Sequence, residues 1–288
     1  MIPPRFDYVV AKSVDDAIRL LSQHGPDAKI LSGGHSLIPL MKFRLAAPSA
    51  LIDVGRIEEL RFIREEEEDI VIGGLATHHM LESSALLQEK APALSMAAAL
   101  VGDVQVRNRG TIGGSLVHAD PAADLPAAVL ALNARMKVVG PARNEEVPAD
   151  RFFIGMLQSA VQAQEILTEI RIRKTETGNG GAYLKAPQPA SGFAIVGVAA
   201  VLTMEAEKCA AIRIGITGVG PKPYRATAVE SRLSGATLDA ERLRSACAKA
   251  SEGVEPLSDI HASAEYRKEL AAIYTCRAVE AAAARALR

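Results

Sequence analysis

The sequence predicts an α+β protein with about two domains, and three observations lead to that prediction. The chain has 288 residues, more than one hydrophobic core usually organises, so two domains are expected. Its first half alternates short apolar runs with helical periodicity. Its last third instead begins with two long apolar runs, at 192–204 and 209–219, and continues with helical stretches.

The N-terminal stretch reads as a β-α-β unit. A strand over 6–10 is followed by a helix over 13–25. Ser13 has the chemistry of an N-cap, two aspartates suit the positive end of the helix, and Gly25 can end it. Further strands are predicted at 28–34 and 50–55. The stretch 60–74 predicts a hairpin whose four consecutive glutamates form a solvated turn.

Two helices are predicted next, over 77–90 and 91–101, and a proline in the first turn of the second is tolerated there. The chain then reads as a loop as far as Pro121 and as a helix from about Asp124. Strand structure resumes at 135–140. After the long strands of the last third, helices are predicted over 226–235, 238–253 and 263–287.

A shift in composition marks the domain boundary. The stretch 175–181, TETGNGG, has the residues of a linker or a long turn. We therefore place the boundary near Gly178, between a first domain over 1–177 and a second over 178–288. The first domain divides into subdomains of about 1–56 and 57–177.

Composition and charge exclude several classes of function. The net charge is −1, from 33 basic and 34 acidic residues, so no nucleic-acid partner is expected. No apolar run is long enough to span a membrane and no signal peptide is recognisable, so a cytoplasmic location is expected. Cys209, Cys247 and Cys276 lack the spacing of an iron–sulfur or zinc site, and no metal site is expected.

Two loops with similar sequences carry the functional signal. LSGGHS at 31–36 and TIGGS at 111–115 each place two glycines beside hydroxyl side chains. Glycines accept positive φ and lack a Cβ, so successive backbone N–H groups can converge on an anion. Neither loop has the spacing of a Rossmann fingerprint or a P-loop. The pair therefore suggests diphosphate binding outside both of those motifs.

These loops and their surroundings make a family recognisable. The stretches AKILSGGHSLIPLMKFRLAAPSALIDVGRI and VRNRGTIGGSLVHADPAADLPAAVLALNA resemble flavoproteins of the molybdenum hydroxylase (xanthine dehydrogenase) family. Within it they are most similar to the FAD-binding medium subunit of aerobic carbon monoxide dehydrogenase. SGFAIVGVAAVL and GITGVGPKPYRATAVE extend the resemblance over nearly the whole chain.

The resemblance implies a fold and a binding site. The fold would be a vanillyl-alcohol-oxidase (PCMH)-type FAD-binding domain in two subdomains, followed by an α+β C-terminal domain of the carbon monoxide dehydrogenase flavoprotein type. The FAD diphosphate would lie between the two loops, Asp124 near the ribose, Leu167, Lys185 and Phe193 beside the flavin, and Val101 near the adenine. The implied FAD-binding residues are Leu31, Ser32, Gly33, Gly34, His35, Ser36, Leu37, Val101, Thr111, Ile112, Gly113, Gly114, Ser115, Asp124, Leu167, Lys185 and Phe193.

Several of these residues also have a purely structural interpretation. Lys185 can be an exposed lysine at a strand end, Phe193 a core residue, and Asp124 a helix cap. Ser115 stands where the family commonly has asparagine, and Phe193 where some relatives have tyrosine. His78 and its neighbour His79 fit surface or packing roles better than metal ligation.

The function that the resemblance implies is electron relay. Non-covalently bound FAD would pass electrons from the two [2Fe–2S] clusters of a small partner subunit to a quinone or a nicotinamide. A large partner subunit would hold the molybdenum cofactor and oxidise the substrate, in a dimer of heterotrimers. No catalytic residue is expected in this chain. An acceptor in the membrane would bring the complex to the inner face of that membrane.

Two alternatives remain open on the sequence. In a related branch of the fold, the histidine at the position corresponding to His35 binds FAD covalently. If His35 does the same, the chain would be a stand-alone flavin oxidase. A scaffold protein that has lost FAD is the other alternative, and the intact glycine pairs argue against it. The resemblance also implies that the substrate pocket lies in another subunit, so this sequence does not define the substrate.

Overall fold

The computed structural model describes residues 2–174 and 179–287, and the predicted boundary at Gly178 lies outside them. The N-terminal unit is a parallel three-stranded sheet in the order β1-β3-β2 with two helices. Its elements are β1 (Asp7–Val10), α1 (Val14–His24), β2 (Lys29–Leu31), α2 (Leu37–Lys42) and β3 (Ala50–Asp53).

The β-α-β start forms as its local signals predict. The Ser13 hydroxyl caps α1 by accepting from the Asp16 N–H, and Gly25 ends the helix at φ +80°. The buried face of α1 packs with the strand residue Ile52 in a small apolar cluster. Since β2 and β3 are parallel, their carboxyl ends lie at the same edge of the sheet, where the first glycine pair follows β2.

The middle of the chain forms an antiparallel five-stranded sheet with helices packed on it. The strand order is β4-β5-β10-β6-β7, and β8 pairs with β9 outside the sheet. The strands are β4 (Ile63–Glu66), β5 (Asp69–Gly73), β6 (Arg135–Gly140), β7 (Arg143–Pro148), β8 (Phe153–Gly155), β9 (Gln158–Ser159) and β10 (Ile166–Arg173). The helices are α3 (His78–Ser83), α4 (Ala85–Lys90), α5 (Pro92–Ala99), α6 (Val104–Arg109), α7 (Ile112–His118), α8 (Leu125–Ala131) and α9 (Ala149–Phe152), and a 3₁₀ turn covers Glu58–Leu60.

The C-terminal part is an antiparallel sheet with helices. The strand order is β11-β12-β13-β14, with β15 also paired to β13. The elements are β11 (Asn179–Pro187), β12 (Ala194–Glu205), β13 (Lys208–Thr217), β14 (Tyr224–Arg225), α10 (Thr227–Leu233), β15 (Ala236–Thr237), α11 (Ala240–Cys247) and α12 (Ala264–Ala286).

The C-terminal sheet is buried on both faces. Successive side chains of a strand point to opposite faces. Ala199 and Val201 of β12 therefore join the core of the middle part, whereas Val198 and Ala200 join the core under α11 and α12. This packing presses β11 and β12 against α5 and α8. It brings the side chains of β11 to the N-terminal end of α8, which borders the candidate site.

The α+β prediction is confirmed, but two local predictions are wrong. The helix expected over 77–90 is interrupted at Ser84, whose hydroxyl instead caps α4 by accepting from the Leu87 N–H at 3.4 Å. The loop expected up to Pro121 contains α6 and α7, which begin at the N-caps Asp103 and Thr111. Both helices are too short to show an apolar period, and tertiary contacts stabilise them.

Candidate functional site

A cavity of about 810 Å³ opens between the N-terminal unit, the middle sheet and the loop before β12. The size suits a large organic ligand. Every predicted site residue except Ile112 and Lys185 lines it. Ile112 is completely buried in the core of the middle part, so only its neighbours in the TIGGS loop face the cavity.

The first glycine loop offers free backbone donors. The N–H groups of Gly33, Gly34, His35 and Ser36 have no acceptor among the described residues. Gly34 has φ +78°, the left-handed conformation that lets successive N–H groups point to one side. The loop therefore has the geometry of an anion-binding nest at the carboxyl end of β2.

The second glycine loop uses the backbone N–H groups of Ile112 to Ser115 for hydrogen bonds within the protein. The Ile112 N–H donates to Ala76 O, Gly113 to Gly74 O and Ser115 to Thr111 O, at 2.9–3.0 Å. The Gly114 N–H donates to the Thr111 hydroxyl at 3.2 Å. The sequence predicted converging N–H groups in both loops, and for Ile112 to Ser115 that prediction is wrong. These groups build the first turn of α7 and attach it to the middle sheet.

The two loops are held against each other. The Thr111 and Ser32 hydroxyl oxygens lie 2.7 Å apart. A Cβ on Gly33 would come within 2.8 Å of the Gly110 Cα, so no side chain fits at that crossing. The hydroxyl of Ser115 makes no hydrogen bond within the described residues and remains available to a ligand in the cavity.

Asp124 forms a buried polar cluster with two residues of β11. The Tyr183 hydroxyl donates to Asp124 Oδ1 at 2.5 Å. The Lys185 ammonium lies 3.0 Å from Oδ1 and 3.1 Å from Oδ2, and both side chains of this pair are 4% exposed. Asp124 makes no side-chain capping bond to α8, which disfavours its interpretation as a helix cap.

Burial dominates the electrostatics of this cluster. It raises the pKa of Asp124 to about 6, although the Lys185 ammonium and the hydrogen bonds of the cluster act in the opposite direction. Burial, reinforced by the Asp124 charge, also raises the pKa of Tyr183 well above its usual value, so the phenol remains a donor. The cluster is therefore an ion pair at pH 7, and its carboxylate becomes protonated at a higher pH than that of an ordinary aspartate.

Lys185 also ties together two chain segments at the cavity wall. Its ammonium donates to Leu100 O at 2.5 Å and to Gly192 O at 2.7 Å. Leu100 precedes Val101, and Gly192 precedes Phe193, both of which line the cavity. Lys185 is thus neither an exposed lysine nor a cavity-lining one. It fixes the backbone on which two predicted site residues are carried.

The aromatic and aliphatic site residues lie at different depths. Phe193 is 46% exposed, so it is not a core residue, and its ring borders the open cavity. Leu167 is buried in β10 and reaches the cavity from the middle sheet. The loop of Phe193 is closed by a hydrogen bond from Gln188 N to Phe193 O at 2.8 Å.

Sequence reasoning missed two residues of this region. Tyr183 is two residues before Lys185, and the period of two in a strand was a signal that both point the same way. His78 lines the cavity at 4% exposure, whereas only a packing or surface role was expected. Nothing local in the sequence distinguishes it from the neighbouring His79, which is 57% exposed.

The described ranges 2–174 and 179–287 show neither a metal-binding cluster nor a membrane-spanning helix. They contain no group of three or more histidine, cysteine or acidic residues arranged to hold a metal ion. Within the same ranges, none of the helices combines the length and the apolar character that a membrane crossing requires.

Comparison with known proteins places both parts of the chain. Residues 4–174 match the family of the FAD binding domain in molybdopterin dehydrogenase, and residues 181–282 match the CO dehydrogenase flavoprotein C-terminal domain. The chain is 42% identical to the carbon monoxide dehydrogenase medium chain of Hydrogenophaga pseudoflava, over 99% of each chain. It is 38% identical to the 6-hydroxypseudooxynicotine dehydrogenase complex subunit alpha of Paenarthrobacter nicotinovorans, over 94% of this chain and 92% of that one.

The solved structures agree with the sequence comparison. A carbon monoxide dehydrogenase from Hydrogenophaga pseudoflava, which lacks the Mo-pyranopterin moiety of its cofactor, contains a chain that superposes with a TM-score of 0.96. That chain is 43% identical, and the match covers 99% of both chains.

Proposed function

From the premise that this chain belongs to the FAD-binding subunits of the molybdenum hydroxylases, we propose that its cavity holds the FAD through the residues described above. The chain is an electron-transfer subunit that relays electrons through FAD to an external acceptor. FAD supplies this chemistry because it accepts two electrons and releases them one or two at a time.

The free backbone donors of the first loop carry the proposal. Gly33, Gly34, His35 and Ser36 line the cavity and their N–H groups have no acceptor among the described residues, and a diphosphate is the part of FAD that needs such donors. The free hydroxyl of Ser115 faces the same space and adds a donor from the second loop. These observations fit FAD in donor chemistry and in cavity size.

The buried cluster gives Asp124 and Lys185 different proposed roles. Asp124 borders the cavity and its carboxylate can accept hydrogen bonds from ribose hydroxyls. Lys185 does not line the cavity, and its ammonium is occupied by Asp124 and two carbonyls. We assign it to holding Val101 and Phe193 in place, which replaces the expected direct contact with the flavin.

Phe193 offers an apolar face for an aromatic ring system. Its ring is partly exposed at the cavity, and offset stacking of aromatic groups is favourable. It has no hydroxyl to donate, so its contribution to binding is stacking and the exclusion of water.

The partners follow from the family and not from contacts in this chain. The chain is a medium-type subunit of a multisubunit enzyme. We propose a large subunit with the molybdenum cofactor and a small subunit with two [2Fe–2S] clusters, in a dimer of heterotrimers. A cytoplasmic location, or one at the inner membrane face, is part of the same proposal.

The substrate is not assigned. Two relatives that match more than nine-tenths of this chain are named for carbon monoxide and for 6-hydroxypseudooxynicotine. The same subunit architecture thus occurs in enzymes with unrelated substrates.

An FAD titration of the purified chain, followed by acid precipitation, tests the proposal. We expect saturable binding at one FAD per chain and yellow colour in the supernatant. Colour in the pellet would indicate a covalent bond at His35 and favour a stand-alone oxidase. If the chain binds no FAD, either alone or co-expressed with its partner subunits, the proposal is wrong.

A further inference from the structure

A histidine, His78, lies at the wall of the cavity beside the second loop. The N–H groups of the second loop are all used between Ile112 and Ser115. We propose that the His78 ring is a further FAD-binding group, which donates its Nε2–H to an oxygen of the FAD diphosphate at this wall. The proposal rests on the function proposed above and adds a residue to that site.

The backbone places His78 directly behind the second loop. Thr77 caps α3, so His78 is its first residue. The His78 N–H donates to Gly110 O at 3.0 Å, and Thr77 pairs with Thr111 as an isolated antiparallel bridge. These contacts hold His78 beside Gly110, the residue that precedes the second loop. We expect that loop to lie beside the diphosphate.

Glycine at position 110 makes room for the ring. A Cβ on Gly110 would lie 2.7 Å from both Cδ2 and Nε2 of His78. Gly110 in turn contacts Gly33 of the first loop. The imidazole thus lies against Gly110, and Gly110 lies against Gly33, which belongs to the loop with the free N–H groups.

His78 is buried without a hydrogen-bond partner. It is 4% exposed, and neither ring nitrogen makes a hydrogen bond to any residue that the structure describes. Nδ1 is sealed from the cavity, so a ligand can reach only Nε2. An unpaired polar group in a protein interior costs about 1–3 kcal/mol. Packing alone does not require a polar residue here.

The imidazole of His78 can donate a hydrogen bond without placing a charge in the protein interior. Burial lowers the pKa of His78 to about 4, and His35 and Arg107 act in the same direction. The imidazole is therefore neutral at pH 7. An unpaired N–H is costlier to bury than an unpaired ring lone pair, which favours the tautomer with its proton on Nε2.

Four proteins test the assignment, namely the wild type, His78→Leu, His78→Gln and His79→Leu. Leucine fills the space without a donor, and the amide nitrogen of glutamine can take the position of Nε2. His79 is the adjacent histidine, but its side chain is exposed and does not line the cavity. FAD is titrated into each full-length chain, and ADP, which shares the diphosphate, is used as a competitor.

We expect His78→Leu to weaken both FAD and ADP binding about 10-fold or more, the effect of one hydrogen bond to a charged acceptor. His78→Gln should recover most of the affinity and His79→Leu should lose none. The melting temperature of FAD-free His78→Leu should equal or exceed that of the wild type, because a buried unpaired group is removed. A merely structural histidine would show a lower melting temperature instead.

The outcomes separate the two proposals. If the wild type binds no FAD, either alone or co-expressed with its partner subunits, the proposed function and this inference both fail. If the wild type binds FAD and His78→Leu binds it within twofold, the inference fails while the proposed function stands. Equal losses in the leucine and glutamine variants, or a loss for FAD without one for ADP, would also overturn donation by His78 to the diphosphate.

Discussion

Replacing Lys185 with methionine should make the stability of the protein depend on pH in a defined way. Methionine keeps an unbranched apolar side chain, one heavy atom shorter than lysine, and removes the ammonium. The variant leaves Asp124 buried, with the Tyr183 hydroxyl as its remaining side-chain partner. It also removes the donor to Leu100 O and Gly192 O. Removing one partner of a buried ion pair typically lowers the free energy of unfolding by about 3–5 kcal/mol.

The pH dependence follows from the pKa of Asp124. In the unfolded chain this carboxyl titrates near 4, and in the folded wild type at about 6. A raised folded pKa means that the stability it contributes is lost as pH rises, here between about 4 and 6. Without the ammonium the folded pKa moves higher, so the variant continues to lose about 1.4 kcal/mol per pH unit above pH 6.

Urea unfolding of the FAD-free proteins, followed by far-ultraviolet circular dichroism at pH 6, 7 and 8, measures this effect. The stability difference between wild type and Lys185→Met should grow by up to about 2.7 kcal/mol from pH 6 to 8. Other titrating groups are common to both proteins and cancel in that difference. In an Asp124→Asn background the substitution of Lys185 should produce no such growth.

A difference that stays constant from pH 6 to 8 would refute the reasoning. It would mean that Asp124 remains ionised without its cation, and hence that burial does not control its protonation. A difference below about 1 kcal/mol at every pH would mean that the pair is solvated like a surface ion pair.

The other predictions concern FAD binding. Gly34→Val should abolish FAD binding, because a β-branched residue cannot hold φ +78°. Gly253→Val is the control for backbone strain alone. Gly253 has φ +79°, and no atom lies within 4 Å of the new Cβ. Gly114→Val should also abolish binding, because its side chain would enter the cavity wall 2.9 Å from the Thr111 hydroxyl oxygen. Stoichiometric FAD in both glycine variants would contradict the diphosphate assignment. His35→Ala should retain dissociable FAD, and a flavin that is acid-precipitable in the wild type but not in this variant would contradict non-covalent binding. Phe193→Ala should weaken FAD up to about 10-fold through lost stacking, while Phe193→Tyr should not, and equal affinities of all three proteins would remove Phe193 from the site.

The N-terminal unit and the first glycine loop were predictable because their signals are local. Ser13, Gly25 and the apolar face of α1 each act within one turn of their own position. α6 and α7 were not predictable in this way. Their helical turns depend on Asp103 and Thr111 as caps and on a bridge from Thr111 to Thr77, which is distant in the sequence.

The polar site residues were identified in the sequence without their partners. Lys185 was expected beside the flavin, but its bonds reach Leu100, Asp124 and Gly192 in three separate segments. A sequence pattern cannot contain that information, because the segments meet only when β11 packs against α8. His78 was assigned to a surface or packing role for the same reason, since its lack of a hydrogen-bond partner becomes visible only in the folded chain.

The glycine pairs show how one sequence motif can have two physical causes. The first member of each pair is required by chain packing, since a Cβ on Gly33 would meet Gly110 and a Cβ on Gly113 would lie 2.6 Å from Gly74 O. The second members both line the cavity, where Gly34 has a positive φ and a Cβ on Gly114 would lie 2.9 Å from the Thr111 hydroxyl oxygen. One doublet therefore satisfies two demands at once. This is why the pair as a unit, and not either glycine alone, indicates the site.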